Sequence, residues 1–165
     1  MTEGRSRLRP PRNWLDRRAR PWWCAQLAIS GGVVVVPLVV LGMLIEPART
    51  WLLVPALVAA AATLVAVLAL PPWWYRLHRW EVTERAVYTR GGFLWQTWRV
   101  APMSRIQTVD TTRGPVQRVF GLSTVTVTTA SSAGAVKIEG LDHEQAAELA
   151  EELTRITHET PGDAT

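Results

Sequence analysis

Two uncharged apolar runs dominate the front half of the chain. Residues 24–45, CAQLAISGGVVVVPLVVLGMLI, give 22 positions without a charge, and residues 51–70, WLLVPALVAAAATLVAVLAL, give 20. About 20 helical residues at 1.5 Å each cross a hydrocarbon layer of roughly 30 Å, so each run predicts a membrane-spanning helix. A chain of 165 residues is too short to cover two such helices on every side. The connection Glu46-Pro47-Ala48-Arg49-Thr50 is so short that the helices must be antiparallel neighbours. Small residues four apart, Ala28 with Gly32, Ala56 with Ala60 and Ala62 with Ala66, predict the faces on which the backbones approach. Pro37 and Pro55 predict bends rather than ends. Neither run carries a charged side chain, which argues against an ion pathway or a proton relay.

Beyond residue 75 the pattern turns to short extended stretches. Residues 86–90 lead into Gly91-Gly92, a hairpin turn signal. Residues 95–101 resume, with Trp98 and Val100 on one face and Arg99 on the other. Residues 106–112 are rich in Thr and Val, Gly114-Pro115 breaks the pattern, and 116–120 predicts a short helical turn closed by Gly121. Residues 122–129, LSTVTVTT, alternate in the manner of a half-buried strand, and 135–139 predicts one more. The period then becomes helical. Asp142 with Gln145 forms a capping box. Ala146, Leu149, Ala150, Leu153 and Ile156 make one apolar face, opposite Glu144, Glu148, Glu151 and Glu152. Short strands followed by one amphipathic helix predict an open or closed β-barrel capped by that helix.

Charge sets the orientation. Charged residues are 19% of the chain, below the roughly 25% usual for soluble domains, and the net charge of +4 has a local origin. Arginines 5, 7, 9, 12, 17, 18 and 20 stand against Glu3 and Asp16, just before the first run. Arg76, His78 and Arg79 follow the second run, while the connection is neutral. Positive flanks stay inside, so both termini are expected in the cytoplasm of a bacterial cell, with a multi-pass placement in the plasma membrane. The basic excess is thereby explained without nucleic acid. Five of the nine tryptophans, Trp22, Trp23, Trp51, Trp73 and Trp74, flank the runs and are expected as interface anchors. The expected organisation is a basic tail (1–20), a transmembrane hairpin (21–74), a β-rich domain (75–157) and a disordered tail (158–165).

Three stretches of the domain, WEVTERAVYTRGG (80–92), RVAPMSRIQTVD (99–110) and GPVQRVFGLSTVTVTTA (114–130), occur in an order that resembles the YdbS-like bacterial PH domain family. The resemblance covers about half the chain. It implies a membrane α-helical hairpin joined to an α+β, mainly-β domain: a split PH-like barrel with a C-terminal amphipathic helix. The motif positions Pro102, Arg105, Ile106, Gly114, Pro115, Arg118 and Gly121 are expected to be structural, with the two arginines bracing the barrel.

Candidate chemistry is sparse. His78, His143 and His158 are scattered and have no partner at metal-ligand spacing. No phosphate-cradling loop or nucleophile elbow is present, and Cys24 lies within an apolar run. No enzyme activity, metal or cofactor is expected. The candidate contacts for a partner or for lipid are Phe93, Leu94 and Trp95 beside the glycine turn, with Arg85, Arg90 and Arg99. The expected function is an interaction module on the cytoplasmic face that assembles a membrane protein complex. Its expected partners are the bilayer and a membrane or cytoplasmic protein, with a homo-oligomer as a further reading. The alternative is a lipid-contacting or envelope-stress-sensing module at the inner leaflet.

Overall fold

The computed structural model describes residues 11–92, 96–130 and 134–159. Both apolar runs form helices that outlast them: α1 spans Ala19–Leu44 and α2 spans Arg49–Leu77. Pro37, Pro55, Pro71 and Pro72 lie inside helices. The two helices pack along each other and leave almost all of their apolar surface open. Ile29, Val33, Val36, Leu57, Leu64 and Leu68 are all exposed. That surface matches a hydrocarbon solvent, and the helical backbone satisfies its own polar groups there.

On α1 the predicted contact stripe is shifted by one position. A Cβ on Gly31 would collide with the Thr63 side chain, whereas one on Gly32 meets nothing within 4 Å. The close approach therefore runs through Gly31 and Thr63, not Gly32. Ala28 is exposed, and Ala56 is buried against the partner helix's side of the hairpin. Four-residue spacing marks several faces of an alanine-rich helix and does not choose among them.

The domain has two antiparallel sheets. The first orders β1 (Asn13–Trp14), β2 (Arg79–Val82), β3 (Ala86–Gly91) and β4 (Thr97–Pro102). The second orders β5 (Ile106–Thr112), β6 (Leu122–Thr129) and β7 (Val136–Asp142). A short helix α3 (Pro115–Val119) joins β5 to β6, and α4 (His143–Glu159) packs across the second sheet. Ala146, Leu149 and Leu153 of α4 face the core, and its acidic side is exposed. Asp142 caps the helix by accepting the Glu144 N–H at 3.0 Å.

In β4, Val100 is 42% exposed and Ala101 only 1%, so Ala101 turns to the core on the face opposite Trp98 and Val100. One strand departs from expectation. In β6 both faces are covered, because it is the central strand of its sheet and both α3 and α4 lie against it. Thr124 is accordingly buried, with its hydroxyl accepting a bond from Gln117 Nε2 at 2.8 Å.

The largest departure concerns residues 11–20, read from sequence as a tail. Asn13 and Trp14 pair with Trp80 and Arg79 as an edge strand. Trp80 Nε1 donates to Trp14 O at 3.3 Å, and the Tyr75 hydroxyl donates to Leu15 O at 3.0 Å. The Asp16 N–H then donates to Gly140 O of β7 at 3.2 Å. The segment thus crosses from the first sheet to the second before α1 begins. Gly140 has φ +72, and a Cβ there would sit 3.0 Å from the Ala19 Cβ, so a side chain would be both strained and obstructed. Leu15, Ala19, Trp22 and Trp23 join Trp80, Val87, Val125, Ile138 and Leu141 in one core.

Arg18 fastens this joint. Its guanidinium pairs with Asp16 at 3.0 Å and with Asp142, and Nη1 donates to Phe120 O at 3.4 Å. The Arg18 hydrogen bond holds the Asp16 carboxyl below its ordinary 3.8. In Asp142 desolvation pushes upward, but the Arg18 bond and the N–H groups of Glu144 and Gln145 outweigh it, and the net direction is down. Carboxyls depressed by folding stabilise the fold above their unfolded pKa, and that contribution is lost as pH falls through the lower folded value. Asp142→Asn keeps a capping side chain but loses the charge. It is expected to melt a few degrees below the natural protein at pH 6, and the gap should close as pH drops below about 3.8. Thermal melts of the full chain in detergent across pH check this; a gap that does not change with pH would contradict it.

Candidate functional site

The split in the barrel makes a cleft of about 420 Å³ between the two sheets. Thr89, Arg90 and Gly91 come from β3, Thr97 and Arg99 from β4, and Lys137, Ile138 and Glu139 from β7; His78 and Arg79 close one end, at the exit of α2. Each strand places its residues by pairing: Thr89 stands opposite Arg99, and Gly91 opposite Thr97.

The cleft is cationic. Among the described residues Arg79, Arg90, Arg99 and Lys137 face a single lining carboxylate, Glu139, and none of the four cations is ion-paired. Their side chains are held by other means. Arg90 donates from Nη2 to Gln96 Oε1 at 2.8 Å and lies 5.1 Å over the Trp98 ring. Its Nε is buried and, among the described residues, has no hydrogen-bond partner. Arg99 reaches across the split and donates from Nη1 to Ala135 O at 2.6 Å. Arg79 lies 3.9 Å over the Trp14 ring. A buried unpaired donor costs about 1–3 kcal/mol. Uncompensated guanidinium groups beside hydroxyls suit a carboxylate or phosphate.

Of the residues singled out in the sequence, the structure brings Arg90 and Arg99 together here. Arg85 does not join them; it lies exposed in the turn between β2 and β3, where its carbonyl accepts the Met103 N–H at 2.9 Å. Phe93, Leu94 and Trp95 lie outside the described residues. Arg79 and His78 read in the sequence only as part of the positive flank of the second run, Lys137 carries no site signal, and all three reach the cleft through topology.

The motif positions act mainly through backbone. Arg105 and Arg118, expected to brace the barrel, have exposed side chains, and among the described residues neither forms an ion pair. Their carbonyls instead accept the N–H groups of Ala130 and Gly121 at 3.1 and 3.2 Å. Bracing falls to Gln117, which is buried and accepts the Gly114 N–H at 2.9 Å while bonding Thr124. Pro115 opens α3, Pro102 precedes the turn at 103–105, and Ile106 is buried.

The tryptophans divide. Trp51 is 84% exposed and Trp73 is exposed at the other end of α2. Trp22 and Trp23 are 6% and 5% exposed and belong to the core of the domain, which corrects their reading as anchors. Trp23 stacks on Trp22 and meets Trp74 edge-on, each with centroids 5.8 Å apart. An indole at the root of a span has two apolar environments open to it, and here the protein core takes precedence.

Residues 29–157 match the bacterial PH domain. The chain belongs to the bacterial PH domain family. The match runs from within α1 to the last turn of α4 and so takes in most of the hairpin as well as the sheets. The chain is also similar to the UPF0699 transmembrane protein YdbS of Bacillus subtilis (strain 168), with 31% identity over 101 residues. That similarity covers 61% of this chain and 62% of the relative, so the chain spans less than two thirds of its length. No solved structure matches. This bacterial PH domain protein is a membrane protein, with two N-terminal apolar helices set directly into the β-rich domain.

Proposed function

We propose that this bacterial PH domain protein is a membrane-anchored interaction module, not a catalyst. The hairpin holds the domain against the cytoplasmic leaflet, and the cleft between the sheets receives an acidic segment of a partner membrane protein, so that a complex assembles at the membrane. The arginine-rich flanks of the spans support the cytoplasmic orientation. The observation that carries the reading is the cleft itself: among the described residues four cations and one carboxylate line it, and none of the four cations is ion-paired. A concavity of this size takes a few side chains. Fixed to the hairpin, it lies within reach of proteins in the same membrane.

Replacing Arg90, Arg99 and Lys137 with glutamine removes three cations from the cleft. Each charge-assisted contact contributes about 1.5–3 kcal/mol, so partner affinity is expected to fall by roughly a hundredfold or more. The check is crosslinking and recovery of the full-length chain from native membranes. A specific protein should be retained by the natural chain at low salt, released at high salt, and absent with the triple variant. Equal recovery with the triple variant would overturn the reading.

A further inference from the structure

A second cleft, of about 620 Å³, lies where both helices leave the apolar zone. Trp14, Arg17, Arg20, Tyr75 and Arg76 line it. Among the described residues the lining carries three guanidinium groups and no carboxylate, and none of the three is ion-paired. The neighbouring acid, Asp16, is taken by Arg18.

The walls are set by a ladder of rings and cations. Arg20 lies 4.2 Å over the Tyr75 ring, Tyr75 stacks on Trp14 with centroids 5.8 Å apart, and Arg79 lies 3.9 Å over Trp14. The Tyr75 hydroxyl is tied to the Leu15 carbonyl, so the stack is anchored to the backbone that enters α1. A guanidinium resting on a ring keeps its charge uncancelled. Like charges gathered at one place repel one another until an anion joins them, and the planar fork of arginine fits phosphate oxygens in pairs.

Depth selects the source of that phosphate. Arg20 stands next to Pro21, and Arg76 lies in the last turn of α2; between Pro21 and Pro72 the chain carries only Glu46 and Arg49, at the far end of the hairpin. The cleft is therefore level with the headgroups of one leaflet. We propose that it binds the phosphate of an anionic phospholipid headgroup. This site is separate from the cleft between the sheets and does not depend on the partner reading.

The test uses the full-length chain, purified in detergent and stripped of lipid. Phosphatidylglycerol, phosphatidylcholine or inorganic phosphate is added, and melting temperature and lipid retained in native mass spectrometry are read. The natural chain should be stabilised by phosphatidylglycerol and not by the other two. Arg20→Gln with Arg76→Gln should weaken phosphatidylglycerol binding roughly tenfold or more, at about 1 kcal/mol per arginine near the surface. Arg85→Gln with Arg105→Gln, an equal loss of charge on exposed residues elsewhere, should leave it unchanged. Arg20→Lys with Arg76→Lys should fold and recover part of the binding, which separates loss of the site from loss of the fold. Equal weakening by both glutamine pairs would show diffuse attraction instead of a site. Equal stabilisation by inorganic phosphate, or none by phosphatidylglycerol, would overturn the lipid assignment.

Discussion

Replacing Trp23 with alanine is expected to destabilise the whole domain by about 3–5 kcal/mol, the usual cost of emptying a large aromatic site in a core. The residue sits at the start of an apolar run, where a headgroup anchor would be expected, and alanine at an exposed anchor changes stability little. Yet Trp23 is buried among Trp22, Trp74 and His78, with ring centroids 5.5–5.8 Å away. Trp22 is its partner in the same core and approaches the Gly140 backbone in β7, so Trp22→Ala should cost a similar amount. Trp51→Ala, at an exposed indole, should stay within about 0.5 kcal/mol of the natural chain. Unfolding of the three variants in detergent, followed by tryptophan-independent far-UV dichroism, separates the two classes. A Trp23→Ala protein as stable as Trp51→Ala would mean that α1 does not contribute to the core.

The second large effect lies within the hairpin. Gly31→Leu is expected to force α1 and α2 apart, while Gly32→Ala leaves them in place. Thr63 Oγ1 donates to Ala59 O at 2.7 Å, which fixes the side chain that a Cβ on Gly31 would strike. Thr63 therefore cannot swing aside without breaking that bond. Overpacking of this kind costs about 1–3 kcal/mol or more. At Gly32, alanine finds open space and a better helix former replaces glycine. Cys24 Sγ lies 3.6 Å from Val67 O across the same interface, so a cysteine introduced at Val67 gives a direct readout. Oxidative crosslinking to Cys24 should persist with Gly32→Ala and fall sharply with Gly31→Leu. Equal crosslinking in both would place the contact elsewhere.

What the sequence revealed follows from pattern length. Twenty uncharged residues define a span almost by themselves. Ala146, Leu149 and Leu153 recur often enough to define a helix face. The alternation over 122–129 locates β6, although it does not show that α3 would cover the threonine side. β1 has two residues, too few for any period, and its pairing with β2 depends on a partner about 65 positions away. The arginines could not be sorted from composition. Arg17, Arg18 and Arg20 read alike as topology signals, yet Arg18 clamps Asp16 and Asp142 while the other two line a cleft. Arg90 and Arg99 stood out as basic residues near a hairpin. Lys137 reaches them only because β7 borders the split in the barrel. Trp22 and Trp23 were misplaced because residue type alone does not distinguish a lipid interface from a protein core.

The central claim is that the root of the hairpin and the domain form one folded unit. Amide hydrogen exchange on the full-length protein in detergent tests it most directly, comparing the natural chain with Trp23→Ala at β6 (Leu122–Thr129) and β7 (Val136–Asp142). These strands lie about 100 residues from the substitution and share its core. Exchange in both strands that accelerates by orders of magnitude is the predicted result. Unchanged protection in β6 and β7 would show that the domain folds independently of the membrane helices and would contradict the account.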